Sequence, residues 1–213
     1  MIAAVIGGTG LTGSFLVREL LADPAITKVI SVTRKPLKIA DAKLTEILIT
    51  DLSQLQSKET EIYGEIYFCC LGTTIKAAGS KENFEKVDHD AIVLFARIAK
   101  GQDAKSFTFV SAMGANAKSM IFYNRVKGRT EDDVKALGLR SLIIFRPALL
   151  VGPRQEFRLA EKIAAKTLVP VSRFLPARMR KSLITDAREL AARMLVEGKA
   201  RPPGVQIVSA KNI

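Results

Sequence analysis

Short apolar and β-branched runs alternate along this chain with longer segments whose apolar residues recur at helical spacing, which predicts alternating strands and helices. The strand runs begin at Ile2 and recur at Lys28–Thr33, Leu44–Ile49, Ile62–Cys70, Ser106–Ser111, Leu142–Arg146 and Val205–Ser209. The longest helix is predicted over Lys81–Lys100, where Phe84, Val87, Ala91, Phe95 and Ile98 form one apolar stripe. Strands alternating with helices imply an α/β fold: a doubly wound, mainly parallel sheet with helices on both faces. A chain of 213 residues can bury roughly 70% of its unfolded surface in one core. Nothing marks a second domain, so residues 1–213 are expected to form one domain, with a short substrate-facing region from about residue 151.

The first strand runs straight into Gly7-Gly8-Thr9-Gly10-Leu11-Thr12-Gly13 and then into a helix starting near Leu11. Both Gly8-x-Gly10-x-x-Gly13 and Gly7-x-x-Gly10-x-x-Gly13 fit the fingerprint of a dinucleotide site, which makes the fold Rossmann-type. One glycine permits the tight turn, one lets backbone approach a pyrophosphate, and one lets helix pack on strand. The helix start then offers unpaired N–H groups to the phosphates. An ordinary strand–turn–helix corner carries similar glycines, but here the flanking strand and helix match the required context. An acidic residue about 20 positions on would hold an NAD ribose, yet none occurs between Asp23 and Asp41. Arg34 and Lys35 stand at the end of the second strand instead. A guanidinium binds a 2′-phosphate bidentately, so NADP(H) is expected over NAD(H); the bland alternative is a pair of solvated loop cations.

A second candidate site lies about a hundred residues downstream. The fifth strand run ends in Ser111, and Tyr123 and Lys127 follow four residues apart, on one face of a helix. Free tyrosine ionises near pH ~10, and a lysine ammonium alongside is expected to lower that value. Ser111 would orient a substrate oxygen with which Tyr123 exchanges a proton. Tyr-x-x-x-Lys alone is usually a helix-surface pair, but its position behind a strand-terminal serine in this chain favours chemistry.

These motifs, taken in order, resemble the short-chain dehydrogenase/reductase superfamily over nearly the whole chain. The resemblance implies cofactor contacts from Gly7, Thr9, Gly10, Leu11, Thr12 and Gly13, from Asp51 and Leu52 after the third strand, and from Leu71, Gly72 and Thr73 after the fourth. It implies a catalytic trio of Ser111, Tyr123 and Lys127, with Lys127 also on the nicotinamide ribose and Pro147, after Arg146, beside the nicotinamide. Cys69-Cys-Leu-Gly-Thr-Thr-Ile-Lys76, Phe122-Tyr-Asn-Arg-Val-Lys-Gly128 and Gly152-Pro-Arg-Gln-Glu-Phe-Arg158 look like an atypical branch. That branch holds Tat-interacting-protein-like oxidoreductases and many bacterial proteins of unassigned substrate. Two departures stand out. Ser111-Ala112 replaces the paired serines common in members, and Asp88 is the nearest match to an Asn that helps organise a proton relay in many relatives.

The net charge of +12 is uneven: residues 151–213 carry thirteen Lys/Arg against five Asp/Glu. A solvated basic face explains this most simply. Other readings are a nucleic-acid surface (although no nucleic-acid module is recognised), a membrane-surface contact, a protein partner at the C-terminal region, or a pocket for an anionic small-molecule substrate. Arg154 and Arg158, one helical turn apart beyond the sixth strand, are the candidates for that pocket. Cys69 and Cys70 are adjacent in a strand and read as core residues, and with one histidine the sequence shows no metal-site pattern. Without a secretory leader or a run of ~20 apolar residues, a cytoplasmic location is expected. Two functions remain: an NADPH-dependent oxidoreductase acting on a small carbonyl or alcohol, or a dinucleotide-sensing regulatory module with little catalysis.

Overall fold

The structure, a computed structural model, describes residues 1–152 and 183–213. Its main sheet opens with β1 (Ile2–Ile6), β2 (Lys28–Thr33), β3 (Leu44–Leu48), β4 (Ile66–Cys69), β5 (Ser106–Val110) and β6 (Ser141–Arg146). Two short strands, β7 (Leu149–Val151) and β8 (Ile184–Asp186), pair with each other, and β9 (Gly204–Ser209) returns to the main sheet. The order is β3-β2-β1-β4-β5-β6-β9, with every pairing parallel. Parallel strands buried on both faces read as continuous apolar runs, as β4 to β6 do.

Side chains alternate across the sheet. Ala4, Ile30, Tyr67, Phe107, Phe109 and Ile144 face one core, and Val5, Val29, Phe68, Ile143, Phe145 and Val208 face the other. Helix α1 (Leu11–Ala22) covers the second face with Leu16, Val17 and Leu20. The first face packs on the helical run that begins after the short α2 (Ile75–Ala78). That run comprises α3 (Lys81–Glu85), a π-helical turn (Lys86–Asp90) and α4 (Ala91–Gly101). Tyr67, Phe95, Phe107 and Phe109 form a tilted aromatic chain there, with centroids 5.5 to 6.0 Å apart. Such pairs contribute about 0.5–1.5 kcal/mol each beyond area burial. Helix α5 (Phe122–Ala136) lies against the π-turn and α4, and α6 (Ala187–Ala200) joins α1 on the second face.

One strand boundary and the interior of one helix differ from expectation for physical reasons. The fourth strand begins at Ile66 rather than Ile62, because Ile62 closes a turn onto Lys58 and plugs the core, where its carbonyl accepts from the Tyr67 hydroxyl at 3.0 Å. The long helix runs as expected but contains the π-turn, which puts one extra residue into the spiral. Phe84, Ala91, Phe95 and Ile98 are buried, whereas Val87 is only partly so and Asp88 is fully buried beside it.

The order reverses between β1 and β4, where open parallel sheets place their ligands. Gly7, at φ +83, meets the end of β4 so closely that a Cβ would lie 2.7 Å from the Cys70 carbonyl carbon. A Cβ on Gly13 would lie 2.1 Å from the Gly7 oxygen, so helix α1 can dock only on glycine.

Two glycine substitutions test this packing. A Cβ on Gly198 in α6 would lie 2.5 Å from the Phe68 ring, and none of the neighbours is exposed. Gly198→Ala is expected to cost about 1–3 kcal/mol in urea unfolding. Gly101→Ala, with nothing within 4 Å, should instead stabilise by about 0.4–1 kcal/mol.

Candidate functional site

The glycine turn leaves one open corner. Gly10, the exposed N-cap of α1, has no side-chain cap, and the first turn holds no acidic residue. A Cβ on Gly10 would meet only the Gly7 oxygen at 3.3 Å and the Cys70 oxygen at 4.0 Å. Thr9 is exposed, Leu11 is partly buried, and the buried hydroxyls of Thr12, Ser31 and Thr33 find no hydrogen-bond partner among the described residues. Free helix N–H groups with a hydroxyl in their first turn suit a pyrophosphate, so these residues fit a dinucleotide. Arg34 and Lys35 are both exposed at the end of β2.

One expectation needs correcting here. The sequence window around Arg34 holds no carboxylate, but the neighbouring strand's end supplies one. Asp51 lies near enough to Arg34 and Lys86 to feel both charges. Its carboxyl is held low first by the Ser53 N–H, which donates at 2.8 Å, then by the Ser53 hydroxyl and those cations. Leu52, next along, is partly buried.

The second corner is built on α5. Lys127 is buried, and its Nζ contacts Asp88 Oδ1 at 2.8 Å and the Val110 carbonyl at 3.4 Å. Asp88 Oδ2 accepts from the Thr73 N–H at 2.8 Å. The loop after β4 therefore reaches the same pair: a Cβ on Gly72 would lie 3.7 Å from Asp88 Oδ1 and 4.0 Å from Lys127 Nζ. Leu71, one residue earlier, packs against the first core. Burial pulls the Lys127 ammonium down, yet the charges and hydrogen bonding of Asp88, with Tyr123 and Cys69, outweigh it and hold the group above its ordinary range. Cys69 is itself pushed up to about 12, chiefly by burial.

Tyr123 sits one turn before Lys127, its ring 5.6 Å from that of Phe84. The expected lowering of its phenol does not occur. Burial raises it, Lys127 opposes, and Asp88 adds to the rise, because the lysine's charge is shared with that carboxylate.

Ser111 also departs from expectation. Its hydroxyl is buried and donates to Glu131 Oε1 at 2.6 Å, so its one proton is not aimed at a substrate oxygen. Glu131 is buried one turn beyond Lys127 and takes a two-pronged contact from Arg146, at 2.8 and 2.5 Å. Glu131 raises the Arg146 guanidinium above its usual value by hydrogen bonding and charge, against some desolvation. Glu131 escaped the sequence reading, although Tyr123, Lys127 and Glu131 recur every fourth residue along one face. Pro147 is buried, and its carbonyl accepts from the Met113 N–H at 2.9 Å, which ties the loop after β5 to the end of β6. Arg154 and Arg158 lie outside the described residues.

Residues 7–174 match a family model described as NAD(P)H-binding. The chain belongs to the NAD(P)H-binding family. It is 40% identical over 167 residues to the mitochondrial protein fmp52 of Emericella nidulans, covering 76% of this chain and 72% of the relative. It is 36% identical over 156 residues to the mitochondrial FMP52 of Candida albicans, covering 71% and 68% respectively. A short-chain dehydrogenase/reductase family oxidoreductase from Burkholderia thailandensis superposes with a TM-score of 0.73 at 14% identity, over 99% of this chain and 91% of that one. MoeE5 in complex with UDP-glucose and NAD superposes with a TM-score of 0.72 at 16% identity, over 98% and 75%. At those identities the likeness is one of fold. The relatives are named mitochondrial proteins, which corrects the expected cytoplasmic location.

A double-mutant cycle tests the Ser111–Glu131 contact. Ser111→Ala is expected to cost about 0.5–1.5 kcal/mol, and Glu131→Ala, which strands buried donors, about 1–3 kcal/mol. The double variant should lose measurably less than the two together in urea unfolding. Additive losses would show that the hydroxyl serves the cleft instead.

Proposed function

We propose that the protein is an NADPH-dependent oxidoreductase that acts on a small carbonyl or alcohol substrate through Tyr123 and Lys127. The observation that carries this reading is the convergence of Lys127 with the loop after β4, at the switch point beside the glycine turn. When bound, a reduced nicotinamide supplies hydride to a carbonyl carbon. Tyr123, whose hydroxyl has no hydrogen-bond partner among the described residues, is the group that gives a proton to the substrate oxygen. Asp88 and Val110 take two of the three donors of the Lys127 ammonium, and we assign the third to the cofactor ribose. We assign an apolar lip, suited to an uncharged carbonyl body, to Met113 and Leu149, which are exposed on segments that follow β5 and β6.

We assign the preference for NADPH to Arg34, which is exposed and free to turn toward a 2′-phosphate, with Lys35 adding charge. Asp51 competes for the same guanidinium, so the preference rests on the balance between them. The second reading, a dinucleotide-sensing module, draws on the commitment of Ser111 to Glu131, which leaves the trio without a free serine.

Binding titrations with both cofactors test the first assignment. Arg34→Ala should weaken NADPH by about tenfold to a hundredfold and leave NADH nearly unchanged. Equal losses would overturn the 2′-phosphate assignment, and unchanged affinity for both cofactors would leave the arginine in solvent.

Turnover with a panel of small carbonyl compounds, followed by NADPH absorbance, tests the chemistry. Tyr123→Phe should keep cofactor affinity and lower turnover by a factor of about 10² or more. A wild-type protein that binds NADPH tightly and reduces no compound would favour the sensing module.

A further inference from the structure

We propose that the loop after β5 carries a membrane-docking wedge: Met120 and Ile121 enter the surface of an anionic phospholipid bilayer, and the cations around them hold its headgroups. The proposal goes beyond the oxidoreductase reading and does not depend on it.

Met120 and Ile121 are consecutive, and at 94% and 62% exposure they are the two most exposed large apolar side chains among the described residues. Apolar surface left in water is unfavourable in proportion to its area. This pair is nevertheless held out by a turn with its own hydrogen bonds. The Asn116 side-chain oxygen accepts from the Lys118 N–H at 2.8 Å, and the Ser119 hydroxyl oxygen accepts from the Ile121 N–H at 3.1 Å. Arg125 Nη1 donates to the Ser119 and Met120 carbonyls at 2.8 and 3.2 Å. The turn thus satisfies these polar groups internally while it presents apolar side chains, which is what an apolar medium requires of a backbone.

The surroundings supply the countercharge for an anionic surface. Lys118 is exposed beside the pair. Arg125 and Lys81 both lie over the Phe122 ring, at 5.8 and 5.2 Å from its centroid. Lys76 is exposed after β4, on the same carboxyl edge of the parallel sheet. None of these four cations forms an ion pair among the described residues. Against them stands the exposed carboxylate of Glu82, beside Lys81 in the chain. Protruding apolar side chains need a deformable apolar medium, which the acyl chains at a bilayer surface provide, and anionic headgroups attract the cations. A second copy of the chain, itself carrying a net charge of +12, would be repelled. Tyr123 follows the wedge by two residues. On the oxidoreductase reading, docking therefore sets its cleft near the bilayer, and the carbonyls presented to it are those dissolved there.

Co-sedimentation of the full chain with phosphatidylcholine vesicles, with and without phosphatidylglycerol, tests this at physiological salt. The wild type should prefer the phosphatidylglycerol vesicles by about tenfold or more, since each Lys or Arg near an anionic surface adds roughly fivefold. Met120→Ser combined with Ile121→Ser should weaken that binding about tenfold to a hundredfold. Lys118→Glu should weaken it on the phosphatidylglycerol vesicles alone. All three positions are exposed, and an unchanged urea-unfolding midpoint serves as the fold control. Failure of the wild type to bind overturns the proposal, and so does equal binding to the two kinds of vesicle. Full binding by the Met120 and Ile121 double variant assigns the attraction to the chain's general positive charge and overturns it as well. No arm of the experiment requires turnover, so an absence of reductase activity would count against the proposed function alone.

Discussion

Two charges buried on successive turns of α5, the Lys127 ammonium and the Glu131 carboxylate, organise the carboxyl edge of the sheet. Charge inside a core must meet opposite charge or hydrogen bonds, and each group draws a different set of elements toward the helix. Lys127 holds the π-turn through Asp88 and the end of β5 through the Val110 carbonyl. Glu131 holds β6 through Arg146 and the residue after β5 through Ser111. Between them lies Gly128, where a Cβ would fall 2.1 Å from the Ala117 nitrogen, so the loop after β5 rests directly on helix backbone. One helix thereby sets the relative positions of two strand ends, the π-turn and Tyr123.

The parts of this layout that follow from period and composition were legible in the sequence. Buried parallel strands are apolar on both faces, so β2 and β5 stood out as β-branched or aromatic runs. The glycine turn was legible because close approach of β1, α1 and β4 excludes a Cβ at Gly7 and Gly13. The site's electrostatics were not legible, for a different reason in each case. Asp88 is polar within an apolar stripe, and the buried cation that partners it, Lys127, lies on another helix far along the chain. Asp51 lies seventeen residues from Arg34 in the chain but at the end of the adjacent strand, so a window along the sequence could not pair them. Ser111 was read for its place at the end of a strand, and its hydroxyl proton went to a helix residue twenty positions on.

The buried Asp88–Lys127 pair also bears on why such an arrangement persists in a fold that does not need it for cohesion. Replacing a buried ion pair by apolar side chains of similar volume is often neutral or stabilising by about 1–4 kcal/mol. The aromatic chain from Tyr67 to Phe109 already supplies the first core with directed packing. The pair's value therefore lies in what it fixes rather than in net stability. It sets an ammonium beneath Gly72, at the edge of the cofactor corner, and balances it with a carboxylate anchored on a separate element. The fold is shared with dehydrogenases and epimerases and does not select a reaction. What distinguishes this chain is therefore the set of groups that α5 brings to that edge, and not the fold that carries them.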